Sequence, residues 1–391
     1  MVFQPARAFF NPLSPRARGE RAGVRGVTVA EWFDIFHASE GNVRRSISVP
    51  LGAAVLVLVA RLGGGEPQNV PAATDSVQIG PAARARFVDA AEASRILTRR
   101  DAFVTAMSPF DRSARLEVGR EVSESEYLSL VAKQTLDWSS AERELVRVIL
   151  EDFRVQTARW KLDLPPEVLF LKTTGREEGR AAYCRGAAVI LPQSYVAKGG
   201  AALRQVVFHE LFHVYSSHHP DMRRALYAVV GYEVCPEIAL PPGLARVKLT
   251  NPDAPRMDAF IRLRVGDEGV AAAPILLGRS ELYDERQGGP FFRQMDFRFL
   301  VLEREGELRV DGDSLRPAVP PDGSPRLLVP ADVPDYEAHI GRNTDYVIHP
   351  EEILADNFVL LADPQQEKVA TPEILDKLDA VLRSANGTKP S

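Results

Sequence analysis

The most informative segment of the chain is His209-Glu210-Leu211-Phe212-His213. It lies in a segment, 203–215, whose apolar residues recur at helical spacing, so the sequence predicts an amphipathic helix here. Two histidines four residues apart on a helix present their rings on the same face. This spacing allows both imidazoles to bind one tetrahedral zinc ion.

Glu210 follows the first histidine directly. In this arrangement its carboxylate reaches a zinc-bound water, takes a proton from that water as it attacks a peptide carbonyl, and later delivers the proton to the leaving amine. The motif on a helix is typical of a zinc-dependent peptide hydrolase. The alternatives are a non-catalytic zinc-binding or interaction protein that keeps the same fold, and a pair of packed histidines without a metal.

A catalytic zinc site needs a third protein ligand, and the sequence offers two candidates. The first is His219, six residues after His213. That spacing requires a glycine three residues after the second histidine, where the chain leaves the helix, and the residue there is Ser216. The missing glycine disfavours His219.

The second candidate lies in the segment 349–358, where Pro350 predicts the start of a helix. Glu352 and Asp356 are four residues apart and share a face of that helix. Glu352 is the expected zinc ligand, and Asp356 is expected to accept the free ring N–H of a ligand histidine. Glu351 is less suited as a ligand, because the residue four positions on is an alanine.

Together these motifs resemble the gluzincin group of zinc peptidases, in which a glutamate from a separate helix is the third ligand. The string 352–356 is similar to the corresponding helix of anthrax-lethal-factor-like gluzincins, and 343–352 looks like the same region of uncharacterised bacterial metallopeptidases. The resemblance covers about residues 167–360. The departure from the family is the distance of 139 residues between the second histidine and the glutamate. The roles that the resemblance implies are zinc ligation by His209, His213 and Glu352, base catalysis by Glu210, and support of a ligand histidine by Asp356.

Peptide hydrolysis also needs a hydrogen-bond donor for the tetrahedral oxyanion. Tyr346 and His349 lie directly before the predicted ligand helix and are the expected donors, with Tyr232 as a weaker candidate. The strand predicted at 187–191 resembles the edge strand of zincins, to which an extended peptide adds by main-chain hydrogen bonds. The expected partner is therefore a peptide or protein substrate.

The whole chain has 391 residues, of which 45% are hydrophobic and 26% charged, as is ordinary for a globular protein with a core. Its formal net charge of −5 leaves no broad basic surface, which disfavours nucleic-acid binding. The two cysteines, Cys184 and Cys235, form no Cys-x-x-Cys pair, so a thiolate zinc site is not expected. They form a disulfide if the protein is exported, or remain two thiols.

Residues 1–45 are predicted to be an unstructured extension, or translated sequence upstream of the true start. The apolar run 47–60 follows two arginines and precedes three glycines, which predicts a signal peptide or membrane anchor over 46–62. The run is shorter than the ~20 residues that span a bilayer, so a buried helix of the core is the alternative. A signal peptide or anchor predicts a periplasmic, extracellular or membrane-anchored protein, whereas a buried core helix predicts a cytoplasmic one.

A linker is predicted over 63–81 and a single domain over 82–391, with a Pro-rich excursion near 316–334. The predicted class is α+β and zincin-like: a small mixed β-sheet with a strand before the motif helix, then a mainly helical part that carries the third ligand. Further elements are predicted as strands at 168–171 and 297–302, a helix at 221–230, a loop at 240–255, capping boxes at Ser123 and Ser139, and helix starts at Pro350 and Pro372.

Overall fold

The computed structural model describes residues 76–304, 315–321, 323–363 and 369–384. The predicted N-terminal extension and the predicted signal peptide or anchor lie outside the described residues. Within the described part of the chain, no helix has both the length and the apolar character to cross a membrane. The first strand, Ser76–Gln78, falls inside the predicted linker, so the folded part begins before residue 82.

The first half of the described chain contains a six-stranded mixed sheet. Its strands are β1 (Ser76–Gln78), β2 (Arg84–Phe87), β3 (Thr135–Leu136), β4 (Glu167–Thr173), β5 (Tyr183–Arg185) and β6 (Ala188–Pro192). They lie in the order β1-β2-β4-β6-β5, and β3 pairs with β4. The central strands β2, β4 and β6 are parallel, whereas β1, β3 and β5 are antiparallel to their neighbours. The sheet is therefore mixed, as predicted.

Within the continuously described stretch 76–304, five α-helices lie between β2 and β4 in the chain. They are α1 (Ala90–Leu97), α2 (Ala102–Ala106), α3 (Pro109–Leu116), α4 (Glu124–Ala132) and α5 (Ser140–Thr157). Both predicted capping boxes are present, because Ser123 accepts a hydrogen bond from the backbone of Glu126 and Ser139 accepts one from Glu142. Short 3-10 turns lie at Ala158–Trp160, Arg176–Glu178, Phe291–Gln294 and Pro330–Asp332.

The motif helix follows the sheet directly. After β6 come α6 (Gln193–Lys198) and then the motif helix α7 (Gly200–His218). Gly199 and Gly200 have φ of 59° and 58°, a backbone conformation that favours glycine, and they turn the chain into α7. Pro220 stops this helix and begins α8 (Pro220–Val229). The predicted stripe of Leu203, Val207, Leu211 and Val214 is buried.

A second sheet is formed by the chain between the motif helix and the ligand helix. Its seven strands are β7 (Tyr232–Val234), β8 (Lys248–Leu249), β9 (Ala259–Val265), β10 (Glu268–Gly278), β11 (Met295–Arg304), β12 (Leu315–Pro317) and β13 (Leu327–Leu328). All pairings in it are antiparallel, in the order β12-β11-β10-β9-β7, with β8 on β10 and β13 on β11. The prediction of a mainly helical part after the motif helix is therefore wrong for this region.

The two segments predicted as irregular also contain regular structure. The predicted loop at 240–255 contains α9 (Pro242–Val247) and β8. The Pro-rich excursion near 316–334 contributes β12 and β13, and both strands pair with β11. Tertiary pairing with a neighbouring strand forms the short strands β8, β12 and β13, whose own sequences have weak strand propensity.

The C-terminal part is helical, as predicted. It consists of α10 (Tyr336–Ile340), α11 (Pro350–Ala362) and α12 (Pro372–Ser384). The ligand helix α11 is capped by the side chain of His349 and packs against α7, with the rings of Phe212 and Phe358 5.3 Å apart. This packing buries the first turn of α11 against the histidines of the motif helix. The described fold is α+β.

Candidate metal centre

The three predicted ligands converge between α7 and α11. Oε2 of Glu352 lies 3.1 Å from Nε2 of His209 and 3.5 Å from Nε2 of His213. These three residues offer ligand atoms that all lie within 4.8 Å of one another. Zinc–ligand bonds of about 2.0–2.1 Å at tetrahedral angles place ligand atoms about 3.3 Å apart, so the spacing suits a single ion.

The competing third ligand, His219, lies at the end of the motif helix. Its Nε2 is 2.5 Å from the carbonyl oxygen of Asp163, and its ring packs against that of Tyr215 at 4.9 Å. His219 is not part of the group of ligand atoms formed by the two motif histidines. The geometry therefore favours Glu352 over His219 as their companion.

His213 carries a buried polar atom without a partner. Its side chain is 1% exposed, and among the described residues its Nε2 has no hydrogen-bond partner. An ordinary packed histidine would satisfy this atom, because an unpaired buried polar group costs free energy. A metal ion at the centre of the three ligand atoms would satisfy it.

The other ring nitrogen of each histidine faces a carboxylate. Nδ1 of His209 is 2.9 Å from Oδ1 of Asp356, as predicted, and Thr344 donates a hydrogen bond to Oδ2 of the same carboxylate. A carboxylate on Nδ1 places the ring proton there and leaves Nε2 with a lone pair for a metal. His209 is thus oriented for ligation through Nε2.

Glu351, the residue less suited as a ligand by its sequence position, is the corresponding partner of His213. Oε1 of Glu351 is 3.5 Å from Nδ1 of His213. Its Oε2 accepts hydrogen bonds from Ser216 (3.1 Å) and Tyr227 (2.8 Å). These donors orient the Glu351 carboxylate toward the imidazole.

The charges around the histidines favour a cation. Although burial lowers it, hydrogen bonds to Asp356 and Glu352 raise the pKa of His209 to about 10. Burial likewise opposes the shift at His213, but Asp253 and Glu352 raise its pKa well above 6.5. An electrostatic field that holds protons on two imidazoles also attracts a divalent metal, which must displace those protons to bind.

Glu210 lies beside this centre. It is buried, and its Oε2 accepts a hydrogen bond from the thiol of Cys184 at 3.2 Å. Burial raises the pKa of the Glu210 carboxyl, and the charges of His213 and His209 oppose this rise. A carboxyl with a raised pKa is a better proton acceptor than an ordinary one, as general-base catalysis requires.

The surroundings of Cys184 differ from two expectations, the disulfide alternative and the edge position of the strand predicted at 187–191. Cys184 and Cys235 are free thiols, so the disulfide alternative is not formed. Cys184 belongs to β5, the outer strand of the first sheet, whereas the strand predicted as the edge, β6, lies between β4 and β5. The strand next to the motif helix in sequence is therefore internal, and β5 is the edge strand.

The three predicted oxyanion donors lie in different environments. Tyr346 stacks on the ring of His209, with centroids 6.2 Å apart and 19° between the ring planes. Burial raises the pKa of Tyr346 well above 10, so its hydroxyl keeps its proton at neutral pH. Tyr232 instead shares a hydrogen bond of 3.0 Å with the hydroxyl of Tyr336.

His349 caps the ligand helix. Its Nδ1 accepts a hydrogen bond of 3.2 Å from the backbone N–H of Glu351. Burial lowers the pKa of His349 to about 4, so the ring is neutral at pH 7 and carries its proton on Nε2. Its described contacts support the first turn of α11.

Sequence reasoning missed a loop that touches the site. Asn251 donates a hydrogen bond of 2.5 Å to Oε1 of Glu352, and Asp253 accepts one of 2.6 Å from the backbone N–H of Cys184. Cys184, Glu210 and Asp253 offer side-chain atoms within 4.8 Å of one another. The turn-forming string at 251–255 was a signal for a loop, but nothing in its sequence indicated which element it would meet.

Comparison with known proteins gives no relative from which roles could be transferred. No protein-family model, no curated protein and no solved structure matches the chain. A functional assignment therefore depends on the geometry of the described side chains.

Proposed function

We propose that the protein is a zinc-dependent peptide hydrolase of the gluzincin type, with a zincin-like arrangement of its first sheet, motif helix and ligand helix. One observation carries the proposal: Oε2 of Glu352 meets Nε2 of both His209 and His213, and the latter atom is buried without a hydrogen-bond partner among the described residues. Two imidazoles and a carboxylate are a known ligand set of catalytic zinc.

When bound, zinc acts as a Lewis acid that polarises a carbonyl and lowers the pKa of water. The chain supplies the surroundings for this chemistry. Asp356 and Glu351 hold the two histidines by their Nδ1 atoms, so that both Nε2 atoms face Glu352. Such contacts raise the affinity of the histidines for the metal because they fix the orientation and the tautomer of each ring.

Glu210 is the proposed general base. It removes a proton from the water whose oxygen forms the new bond to the scissile carbonyl carbon. The same carboxyl then gives that proton to the amide nitrogen as the C–N bond breaks, and the products are a carboxylic acid and an amine. Its burial and raised pKa support both the uptake and the return of the proton.

Tyr346 is the best-supported oxyanion donor among the candidates, because it lies on the ring of His209 and keeps its hydroxyl proton at neutral pH. His349 is retained as a second candidate through its protonated Nε2. The edge strand β5 carries Cys184 next to Glu210, so an extended peptide added to this edge would lie close to the base.

The substitution Glu210→Gln tests this proposal. We expect the full chain to bind about one zinc per molecule, and Glu210→Gln to lower peptide cleavage by about 10²–10⁴-fold with zinc content unchanged. Glu237→Gln, at an exposed glutamate, is the matched control and should leave cleavage unchanged. Zinc content by elemental analysis and cleavage of a mixed peptide library are the measurements.

Two results would contradict the proposal. A chain that binds no zinc at all would refute the metal centre. A chain that binds zinc but cleaves no member of a broad peptide library would favour the alternative of a non-catalytic zinc-binding or interaction protein. Zinc binding can also distinguish the ligands, because Glu352→Ala should weaken it and His219→Ala should not.

A further inference from the structure

The loop between β8 and β9 contacts the candidate metal centre and belongs to neither the motif helix α7 nor the ligand helix α11. We define it as the 250–253 loop. At its first residue, Thr250 donates a backbone hydrogen bond of 2.9 Å to Oδ1 of Asp111, and its hydroxyl donates one of 2.7 Å to Oδ2. Arg115, fully buried, donates to the carbonyl of Thr250 at 3.1 Å. The loop is therefore anchored in a buried ionic network before it meets the site.

The orientation of the Asn251 amide is determined by its two partners. Its Oδ1 accepts a hydrogen bond of 3.0 Å from the backbone N–H of Asp253. A backbone N–H can only donate, so the amide oxygen must face it. The amide nitrogen, Nδ2, consequently faces Oε1 of Glu352 at 2.5 Å and can only donate there.

Because of this contact, the two carboxylate oxygens of Glu352 have different partners. Oε1 is engaged by the Asn251 amide, while Oε2 faces Nε2 of His209 and Nε2 of His213. Glu352 is buried, so its carboxylate has little room to exchange these roles. An amide held in this way would keep Glu352 a ligand through one oxygen.

We infer that Asn251 is a positioning residue of the metal centre, which holds the carboxylate of Glu352 so that Oε2 alone is presented to the metal. This inference rests on the proposed function, because it presupposes that Glu352 binds zinc. Asn251 itself touches neither the metal nor the substrate in this role. It acts through Glu352, and its removal is expected to weaken zinc binding by about 10–100-fold.

The chain offers a matched control in Asn343. Its Oδ1 accepts a hydrogen bond from the backbone N–H of Thr371 (2.7 Å), and its Nδ2 donates to Asn357 (2.8 Å) on the same helix α11. Like Asn251, Asn343 thus accepts a backbone hydrogen bond and donates to a side chain of α11, and its Nδ2 also donates to the carbonyl of Thr371 at 2.8 Å. Its partner on α11 is not a metal ligand. A merely structural tie between a loop and α11 would respond alike in both positions.

The experiment measures the zinc dissociation constant of the full chain with Asn251→Leu, Asn251→Ala and Asn343→Leu, together with the visible spectrum after cobalt substitution. We expect both Asn251 variants to raise the zinc dissociation constant about 10–100-fold and to change the cobalt spectrum, which reports coordination number. We expect Asn343→Leu to leave both readouts as in the wild type. The alanine variant covers the case in which leucine prevents folding, which circular dichroism of the metal-free chain detects.

Two outcomes overturn the inference while the proposed function stands, and in both the wild type binds zinc and cleaves peptides. In the first, the Asn251 variants bind zinc as tightly as the wild type and give the same cobalt spectrum. In the second, Asn343→Leu is as impaired as the Asn251 variants. Absence of zinc from the wild type overturns both the inference and the proposed function.

Discussion

A buried carboxyl, that of Glu177, lies beside the first sheet with its Oε2 unpartnered among the described residues. Its Oε1 accepts a hydrogen bond from the hydroxyl of Tyr183 at 3.4 Å. Burial raises the pKa of Glu177 from 4.5 to about 7, although the hydrogen bonds to it oppose this rise. Folding therefore takes up a proton at this group. The contribution of the protonated Glu177 carboxyl to stability is complete below pH 4.5 and is lost as the pH rises through 7.

We expect Glu177→Gln to stabilise the protein at pH 8 and to have little effect at pH 4.5, because glutamine cannot ionise. A rise in pKa from 4.5 to about 7, at about 1.4 kcal/mol per pKa unit, corresponds to about 3 kcal/mol. Urea unfolding of wild type and variant at the two pH values measures this difference. The neighbouring Glu178→Gln is the control. It removes a partner of the buried Arg115 and should destabilise the protein by about 3–5 kcal/mol.

The residues of the candidate site were predictable where a short local pattern specifies them. His209, Glu210 and His213 follow from one helical spacing, and Asp356 follows from its position four residues after Glu352. Glu351 was set aside because its own helical partner is an alanine. In the fold, α11 meets α7 through Ser216 and α8 through Tyr227, so the adjacent Glu351 is also turned inward. Contacts of this kind depend on packing between distant elements, which no local spacing encodes.

The end of β10 joins the second sheet to the first half of the chain. A Cβ added at Gly278 would lie 2.6 Å from ring carbons of Phe110 on α3, which is fully buried. The glycine is required here because the ring packs directly against its backbone, rather than for an unusual φ. The contact couples the position of β10 to α3, and α3 also carries the buried residues that anchor the 250–253 loop.

We expect Gly278→Ala to destabilise the protein by about 1–3 kcal/mol, since the ring of Phe110 cannot move away without repacking. Gly269→Ala on the same strand is the matched control, because a Cβ there meets no atom within 4 Å. Thermal unfolding of both variants measures the effect. Equal stability of the two variants would show that the Phe110 contact is dispensable.

The elements themselves were predictable in part. The helices at α7, α8, α11 and α12 were predicted because caps, prolines and apolar periodicity mark them. The long strands β9 and β10 were missed. Three consecutive alanines and Pro274 give β10 weak strand propensity, and pairing with β9 and β11 overrides that preference. On one side of β10, Pro274 lies in the gap between the stretches that pair with β9 and β8, and on the other side it is opposite Phe299 of β11.

The proposed zinc joins α7 to α11 and should therefore stabilise the fold. A ligand that binds the native state at 100 times its dissociation constant adds about 2.7 kcal/mol. We expect a chelator to lower the melting temperature of the wild type and zinc to restore it. The variant Glu352→Ala should respond much less to either, because its third ligand is missing. A wild-type melting temperature that ignores both additions would contradict a structural contribution of the metal.

The placement of the second sheet between the two ligand helices also has a consequence for the order of events during synthesis. His209 and His213 are synthesised well before Glu352, which lies 139 residues after His213. Until then, a nascent chain holds two of the three proposed protein ligands, and the strands β7 to β13 are synthesised between them and α11. Under the proposed function, a fragment that ends before Glu352 would lack the third ligand and would therefore not hydrolyse the proteins around it.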